Sequence, residues 1–323
     1  MPTYTGIASE AFKHPLDRQA EQALRSFPGF DMVAKTFIKY LKERPEQIFL
    51  LGNTIKAGPR QYSTLHSIFR ECVKDLDIYP VPTFYVSQNP LVNCYALGQE
   101  MPYIVMNTGL IELFDEEQLR IVIAHELGHI KCEHTILIQM ALWAMGAANI
   151  LGELTLGIGD ILSTGLILAF FEWRRKAELS ADRAALLVTD NLEQVMHTMM
   201  GLAGGTQKYA HECSLPEFIN QSKEYQDLNQ DGLNQVYKFL IYNGGRNGFL
   251  EHPFAVERLH FIQAWANSSE YATIKSGTYA RAGQKGAVDV AATENTQTTE
   301  AEDLQAQVER LQQEIDRLRK GNP

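Results

Sequence analysis

The stretch IVIAHELGHIKCEH, residues 121–134, packs three histidines, two glutamates and a cysteine into fourteen positions. His125 and His129 are four apart, within an HExxH pattern. On an α-helix, positions i and i+4 share a face, so both imidazoles can reach one ion. Neutral imidazole is a zinc ligand, and a catalytic zinc takes three protein ligands and leaves a position for water. Glu126 projects beside that face. From there it can take a proton from the water and return it to a leaving amine.

The third ligand has candidates inside the same stretch. On a continuous helix His134 lies about 140° round from His129 and faces elsewhere. Glu133 shares the face of His129, but one turn further on, and would have to bend back over it. Cys132 is close in angle, but that offset matches no zinc peptidase pattern, and Cys132 and Thr135 occupy positions where a metzincin needs Gly and His. All three read as the helix leaving the cleft. A better candidate lies further along. RKAELSADRAA sets Glu178 and Asp182 four apart, on one helical face. Glu178 can bind the ion, while Asp182 accepts the other ring N–H of a ligating histidine and fixes its tautomer. Arg175, one turn earlier, is placed to hold the two carboxylates.

For these groups to converge, two helices must pack together. Asp115 is an expected N-cap, with Glu116 and Glu117 in the first turn, where the helix dipole favours negative charge. EEQLRIVIAHELGHIKCEH then reads as one helix through His134, and EWRRKAELSADRAALLVTD as the second. Residues 16–50 read as helical, interrupted at Pro28-Gly29, and TLHSIFRECVKDLDI as a further helix. VPTFYVSQ, NCYALG and YIVMNTGLI are rich in β-branched and aromatic residues and read as short strands of one sheet. Residues 192–271 read as mostly helical, with polar loops at 226–235 and 243–248. The fold class is therefore α+β and predominantly helical, with a small antiparallel or mixed sheet against the HExxH helix.

At these residues the chain resembles zinc metallopeptidases of the HtpX and CAAX-prenyl-protease type, a gluzincin family with a zincin-like core. The similarity runs through NCYALG, YIVMNTGLIELFDEEQLRIVIAHELGHI, RKAELSADRAALL and EHPFAVERLHFIQAW, in that order. FKHPLDRQAEQAL and LGNTIKAGPRQY resemble the N-terminal part of compact bacterial members without clear transmembrane helices. The resemblance implies one Zn2+ on His125, His129 and Glu178, with Glu126 as base and Asp182 behind a ligand. It implies that Asn93, Cys94, Tyr95 and Ala96 border the cleft, where an extended peptide substrate could add to the strand edge. His252 and Arg258 resemble positions near the active site, suited to steadying a tetrahedral oxyanion.

The remaining features bound the context. A formal charge of −10 and the lack of a dense Lys/Arg block argue against nucleic-acid binding. Four scattered cysteines without a CxxC pair suit reduced thiols, and the N-terminal MPTYTGIASEAFKHPLD carries no apolar signal core. Both point to a cytoplasmic protein. Residues 136–171 hold two apolar runs, each near the lower limit for a membrane span. They read either as a hairpin packed on the core or as one contacting a membrane surface. Leu304, Val308, Leu311, Ile315 and Leu318 follow heptad spacing, which favours a parallel two-stranded coiled coil. The expected organisation is a peptidase domain at 1–279, a linker at 280–301 and a short coiled-coil tail at 302–320. Homodimerisation through 304–318 would also suit a second reading, a catalytically silent metal-binding scaffold. DLNQDG resembles half of an EF-hand loop, but Lys238 stands where the bidentate Glu belongs, so no calcium is expected.

Overall fold

The computed structural model describes residues 3–40, 43–143, 164–243 and 252–282. Three helices come first: α1 (Pro15–Ser26), α2 (Phe30–Tyr40) and α3 (Glu43–Asn53). Proline opens α1, and His14 caps it by accepting the Leu16 N–H at 3.1 Å. A two-residue strand β1 (Ile55–Lys56) and helix α4 (Ser63–Asp75) follow. The three expected strands are present as β2 (Thr83–Ser87), β3 (Cys94–Leu97) and β4 (Tyr103–Asn107). With β1 they form a mixed sheet of order β1-β2-β4-β3, in which only the β2–β4 pair is parallel. β3 therefore forms one edge.

YIVMNTGLI is not a strand throughout. It divides at Asn107, and Thr108–Leu113 form the short helix α5. The chain turns there because Thr108 Oγ1 donates to the Asn89 carbonyl at 3.0 Å and accepts the Asn89 N–H at 3.1 Å. A Cβ on Gly109 would sit 2.2 Å from the Pro90 carbonyl oxygen, so only glycine fits this close approach.

Helix α6 (Glu116–Lys131) starts as its sequence requires. Asp115 accepts the Gln118 N–H at 2.9 Å, and the Gln118 side chain accepts the Asp115 N–H in return. Its end is a correction. The helix does not continue through His134. Cys132 caps it, Glu133 takes a left-handed conformation at φ 59°, and a new helix α7 begins at His134 and is described to residue 143. Then come α8 (Thr164–Thr189), α9 (Leu192–Gly204), α10 (Leu215–Leu228), α11 (Gly232–Tyr242), α12 (Ala255–Ala266) and α13 (Ser269–Lys275). Asp231, from the EF-hand-like stretch, serves as the N-cap of α11.

One core joins α4, the sheet, α6, α8, α9 and α12, with Ile104, Ile123, Leu127, Ala184 and Leu259 fully buried. Tyr85, Tyr103 and Val105 cover the other sheet face with Leu50 of α3. A second core holds Leu24 of α1, Phe30, Val33 and Phe37 of α2, Leu137, Ile138, Met140 and Ala141 of α7, and Leu166, Phe170 and Trp173 of α8. The described flanks of the 136–171 hairpin thus pack inside the protein, while 144–163 lie outside the described residues. Among the described residues no helix is long and apolar enough to cross a membrane. Ala280–Ala282 still pair with the N-terminal segment, through Ala8 N–H to Ala280 O and Ala282 N–H to Gly6 O. The rest of the expected linker and the coiled-coil tail lie outside the described residues.

Helices α6 and α8 meet at Gly128. A Cβ there would lie 2.7 Å from Ala184 Cβ and 3.0 Å from Ala181 Cα, closer than packed atoms tolerate. Gly128→Ala should lower stability by about 1–3 kcal/mol, the usual cost of an overpacked core. Ala184→Gly in the same chain should recover part of that loss. Urea denaturation of both single variants and the double variant checks this; additive losses would mean the two sites do not touch.

Candidate metal centre

The face that α6 turns toward α8 carries His125 and His129, and α8 answers with Glu178. All three are buried, and their ligand atoms lie within 4.8 Å of one another. His125 Nε2 is 3.2 Å from Glu178 Oε2, His129 Nε2 is 3.3 Å from Glu178 Oε1, and the two Nε2 atoms are 3.3 Å apart. His125 Nδ1 faces Asp182 Oδ1 at 3.0 Å. A carboxylate only accepts, so Nδ1 carries a proton, and a cation that displaced the proton on Nε2 would meet that nitrogen in the gap.

Arg258 of α12 closes the far side of Asp182. Its Nε donates to Oδ2 at 2.9 Å and its Nη2 to Oδ1 at 2.5 Å. Arg258 Nη1 also lies 3.6 Å from Glu178 Oε2. Burial opposes ionisation of Asp182, but Arg258 and His125 outweigh it and keep its pKa below the usual value. Burial likewise opposes charge on Glu178, yet His252, His125 and His129 hold it well below the carboxylate range. His252 Nδ1 stands 3.0 Å from Glu178 Oε2 but is not aligned to donate, and that buried oxygen has no hydrogen-bond partner. An ionised oxygen without a donor and two converging imidazole nitrogens make an arrangement that a cation satisfies. Burial disfavours charge on His125, but Asp182 and Glu178 outweigh it and push the ring up to about 10. Burial, despite Glu178, takes His129 down to about 4. Glu126 is buried beside them, and burial pushes its carboxyl up to about 7 against the pull of His125.

Two cavities open on this cluster. One, of about 680 Å³, reaches His125, Glu126 and Glu178 past Val195, Met199, Leu202 and Phe218. The other, of about 440 Å³, reaches Glu126, His129 and Glu178 past Glu43, Glu46, Tyr103 and Arg174. Asn93, Cys94 and His252 line both, so the β3 edge runs across the mouth of the metal centre.

Comparison with known proteins points to a peptidase. The model of peptidase family M48 matches residues 59–266. The chain belongs to peptidase family M48. It is similar to the plastoglobule-localized metallopeptidase 48 of Arabidopsis thaliana chloroplasts, with 31% identity over 84% of this chain and 76% of that protein. It is also similar to a protease HtpX homolog of Thermoanaerobacter pseudethanolicus, 29% identical over 35% of this chain and 39% of that protein. Another HtpX homolog, from Thermoplasma volcanium, is 24% identical over 66% and 75%. No solved structure matches. The chain is thus an HtpX-type M48 metallopeptidase, a metal-dependent hydrolase acting on proteins or peptides.

Within this M48 site, the structure brings together His125, His129, Glu178, Glu126, Asp182, His252 and Arg258. Asn93, Cys94, Tyr95 and Ala96 line the second cavity, with Cys94 a buried thiol whose pKa burial and Glu126 raise. Arg175 is a correction. The guanidinium against the two carboxylates belongs to Arg258. Arg175 pairs with Glu172 at 2.7 Å and stacks over Tyr242, 4.7 Å from the ring centroid. Helical side chains lean toward the N-terminus, so Arg175 reaches back to Glu172 rather than forward to Glu178.

His134 was read as leaving the cleft. The break at Glu133 instead returns its ring to His129, Nδ1 to Nδ1 at 3.0 Å. Behind it lies Asp17 of α1, which sequence reasoning passed over. The available signal was an acid in line with Ala20 and Leu24 on α1, masked by Glu21 one turn on, which shares that side of the helix.

Asp182→Asn keeps the shape but removes the charge behind His125. It should weaken metal binding by about 10–100-fold while the fold persists. Chelator competition on a variant with unchanged circular dichroism measures this. Wild-type affinity would reduce Asp182 to the ion-pair partner of Arg258.

Proposed function

We propose that this M48 peptidase is a zinc-dependent endopeptidase with Glu126 as general base. The observation that carries the reading is the convergence of His125, His129 and Glu178 beside a buried carboxyl on the floor of a groove edged by β3. Tetrahedral zinc with bonds of about 2.0–2.1 Å sets its ligand atoms about 3.3–3.4 Å apart. The two imidazole Nε2 atoms, 3.3 Å apart, fit that separation, and Glu178 offers a different oxygen to each ring, Oε2 at 3.2 Å to His125 and Oε1 at 3.3 Å to His129.

Zinc in that position supplies Lewis acidity and an acidified water. The chain's own residues do the rest. Glu126, with burial holding its pKa at about 7, takes the proton from the attacking water and passes it to the departing amine. His252, half-exposed on its side chain and lining both cavities, is placed to donate to the oxyanion. Arg258 is committed to Asp182 through two hydrogen bonds, so its part is to hold that carboxylate rather than to meet substrate. An extended substrate pairs with the free edge of β3 at Asn93, Cys94, Tyr95 and Ala96. One side of the scissile bond then meets the apolar walls of Val195, Met199 and Phe218, and the other meets Glu43, Glu46 and Arg174.

Glu126→Gln separates base from ligand. It should retain one zinc per chain by elemental analysis. It should lose activity on an unfolded protein substrate by about 10²–10⁴-fold, the usual contribution of a positioned acid–base group. Equal turnover by both forms would remove Glu126 from the mechanism, and an absence of stoichiometric zinc in the reconstituted wild type would remove the zinc.

A further inference from the structure

Behind His129, on the side away from the substrate groove, a chain of buried polar groups runs inward. His129 Nδ1 meets His134 Nδ1 at 3.0 Å, and His134 Nε2 meets Asp17 Oδ2 at 3.0 Å. Asp17 and His134 are 0% and 1% exposed. The carboxylate is gripped from α8 as well. Ser180 Oγ donates to Oδ2 at 2.6 Å and Trp173 Nε1 donates to Oδ1 at 3.2 Å. Ser180 Oγ in turn accepts the His14 N–H at 2.9 Å. The Trp173 ring also packs edge-on against His134, with centroids 5.7 Å apart.

One arrangement of these bonds leaves a nitrogen of His129 free for an ion. Ionised Asp17 has no proton to give, so His134 must donate from Nε2. A neutral His134 then has only a lone pair on Nδ1, and His129 must donate to it from its own Nδ1. That leaves His129 Nε2 bare and aimed at Glu178 and His125, 3.3 Å from each. Burial works against charge on Asp17, but the His134 ring, the Lys13 ammonium and Ser180 outweigh it and hold the carboxyl at about 2.

We propose that Asp17 and His134 are positioning residues for the metal centre: they fix His129 in its Nδ1–H tautomer and orient its ring. His129 thereby has a carboxylate behind it, as His125 has Asp182, but relayed through a second imidazole. The proposal rests on His125, His129 and Glu178 being the ligand set. It assigns work to a residue that sequence spacing had turned away from the site, and to a carboxylate 117 positions from its partner.

The test loads the full chain with Co²⁺ in place of zinc. The chelator-competition Kd and the visible cobalt bands are recorded for wild type, His134→Phe, His134→Gln, Asp17→Asn and His129→Ala. His134→Phe removes the acceptor behind His129 and should weaken binding by about 10–100-fold, the usual cost of losing such support, and shift the cobalt bands. His134→Gln carries an amide oxygen that can accept from His129 and should recover much of the affinity. Asp17→Asn should weaken binding in the same direction. Variants that bind cobalt with wild-type Kd and unshifted bands, and lose only thermal stability of the metal-free chain, would make Asp17–His134 a structural staple and overturn the proposal. If His134→Phe does not fold, Asp17→Asn decides by the same readouts. A wild type without a stoichiometric ion, or His129→Ala binding as wild type, would overturn the ligand set itself and the proposal with it.

Discussion

The close approach of α6 and α8 is the constraint on which the site depends. Gly128 stands between His125 and His129 in sequence, and Ala181 stands between Glu178 and Asp182. The contact of Gly128 with Ala181 and Ala184 therefore lies among the proposed ligands on both helices. Metal–ligand bonds tolerate deviations of about 0.2 Å. One extra methyl at this contact moves the helices by more than that, because close-packed interiors transmit displacement instead of absorbing it. Glycine costs about 1 kcal/mol of helix propensity here, and with the facing alanines it sets the distance between two imidazoles and a carboxylate.

Helix α8 carries more of the site than a single ligand. Glu178 and Asp182 face α6 and α12, while Trp173 and Ser180, seven apart and on one face, turn to Asp17 of α1. The charges are buried in alternation: Arg258 against Asp182, Asp182 against His125, Asp17 against His134. Isolated, any of these would be costly in an apolar interior, and each is tolerated because its neighbour supplies the opposite charge or a donor. The order of the chain matters too. α1 and α12 come from opposite ends of the sequence, and each supplies the group that orients one side of the α6–α8 pair.

The local features were legible from sequence and the distant ones were not. His125, His129, Glu178 and Asp182 lie at spacings that a helix turns into faces, and the Asp115 cap and the three strands follow from residue type. The end of α6 did not, because the left-handed residue is Glu133, and a glutamate carries no signal of that conformation, which glycine or asparagine would give. That one dihedral moved His134 from a presumed exit to the back of His129. Spacing along one helix is all a sequence displays, and that spacing points to Arg175 for the carboxylates. Arg258 reaches them only through the packing of α12 on α8, and only the family resemblance had drawn it toward the site.

The tuning of Glu126 shows how packing and the proposed chemistry are joined. A base that both takes and returns a proton works best with a pKa near the working pH. Burial is the main cause of its rise to about 7, against the pull of His125. The buried side chains that line the same cavity as Glu126 include Leu110, Ile121 and Val122 together with the β3 thiol Cys94. That cavity is the apolar one that an extended substrate would fill. One surface thus lies beside the base and offers apolar area to a side chain of the substrate. A substrate side chain seated there would exclude more water and strengthen each electrostatic contact around the ion. Affinity for an apolar residue and readiness of Glu126 to accept the proton would then rise together, in the complex where the proton must move.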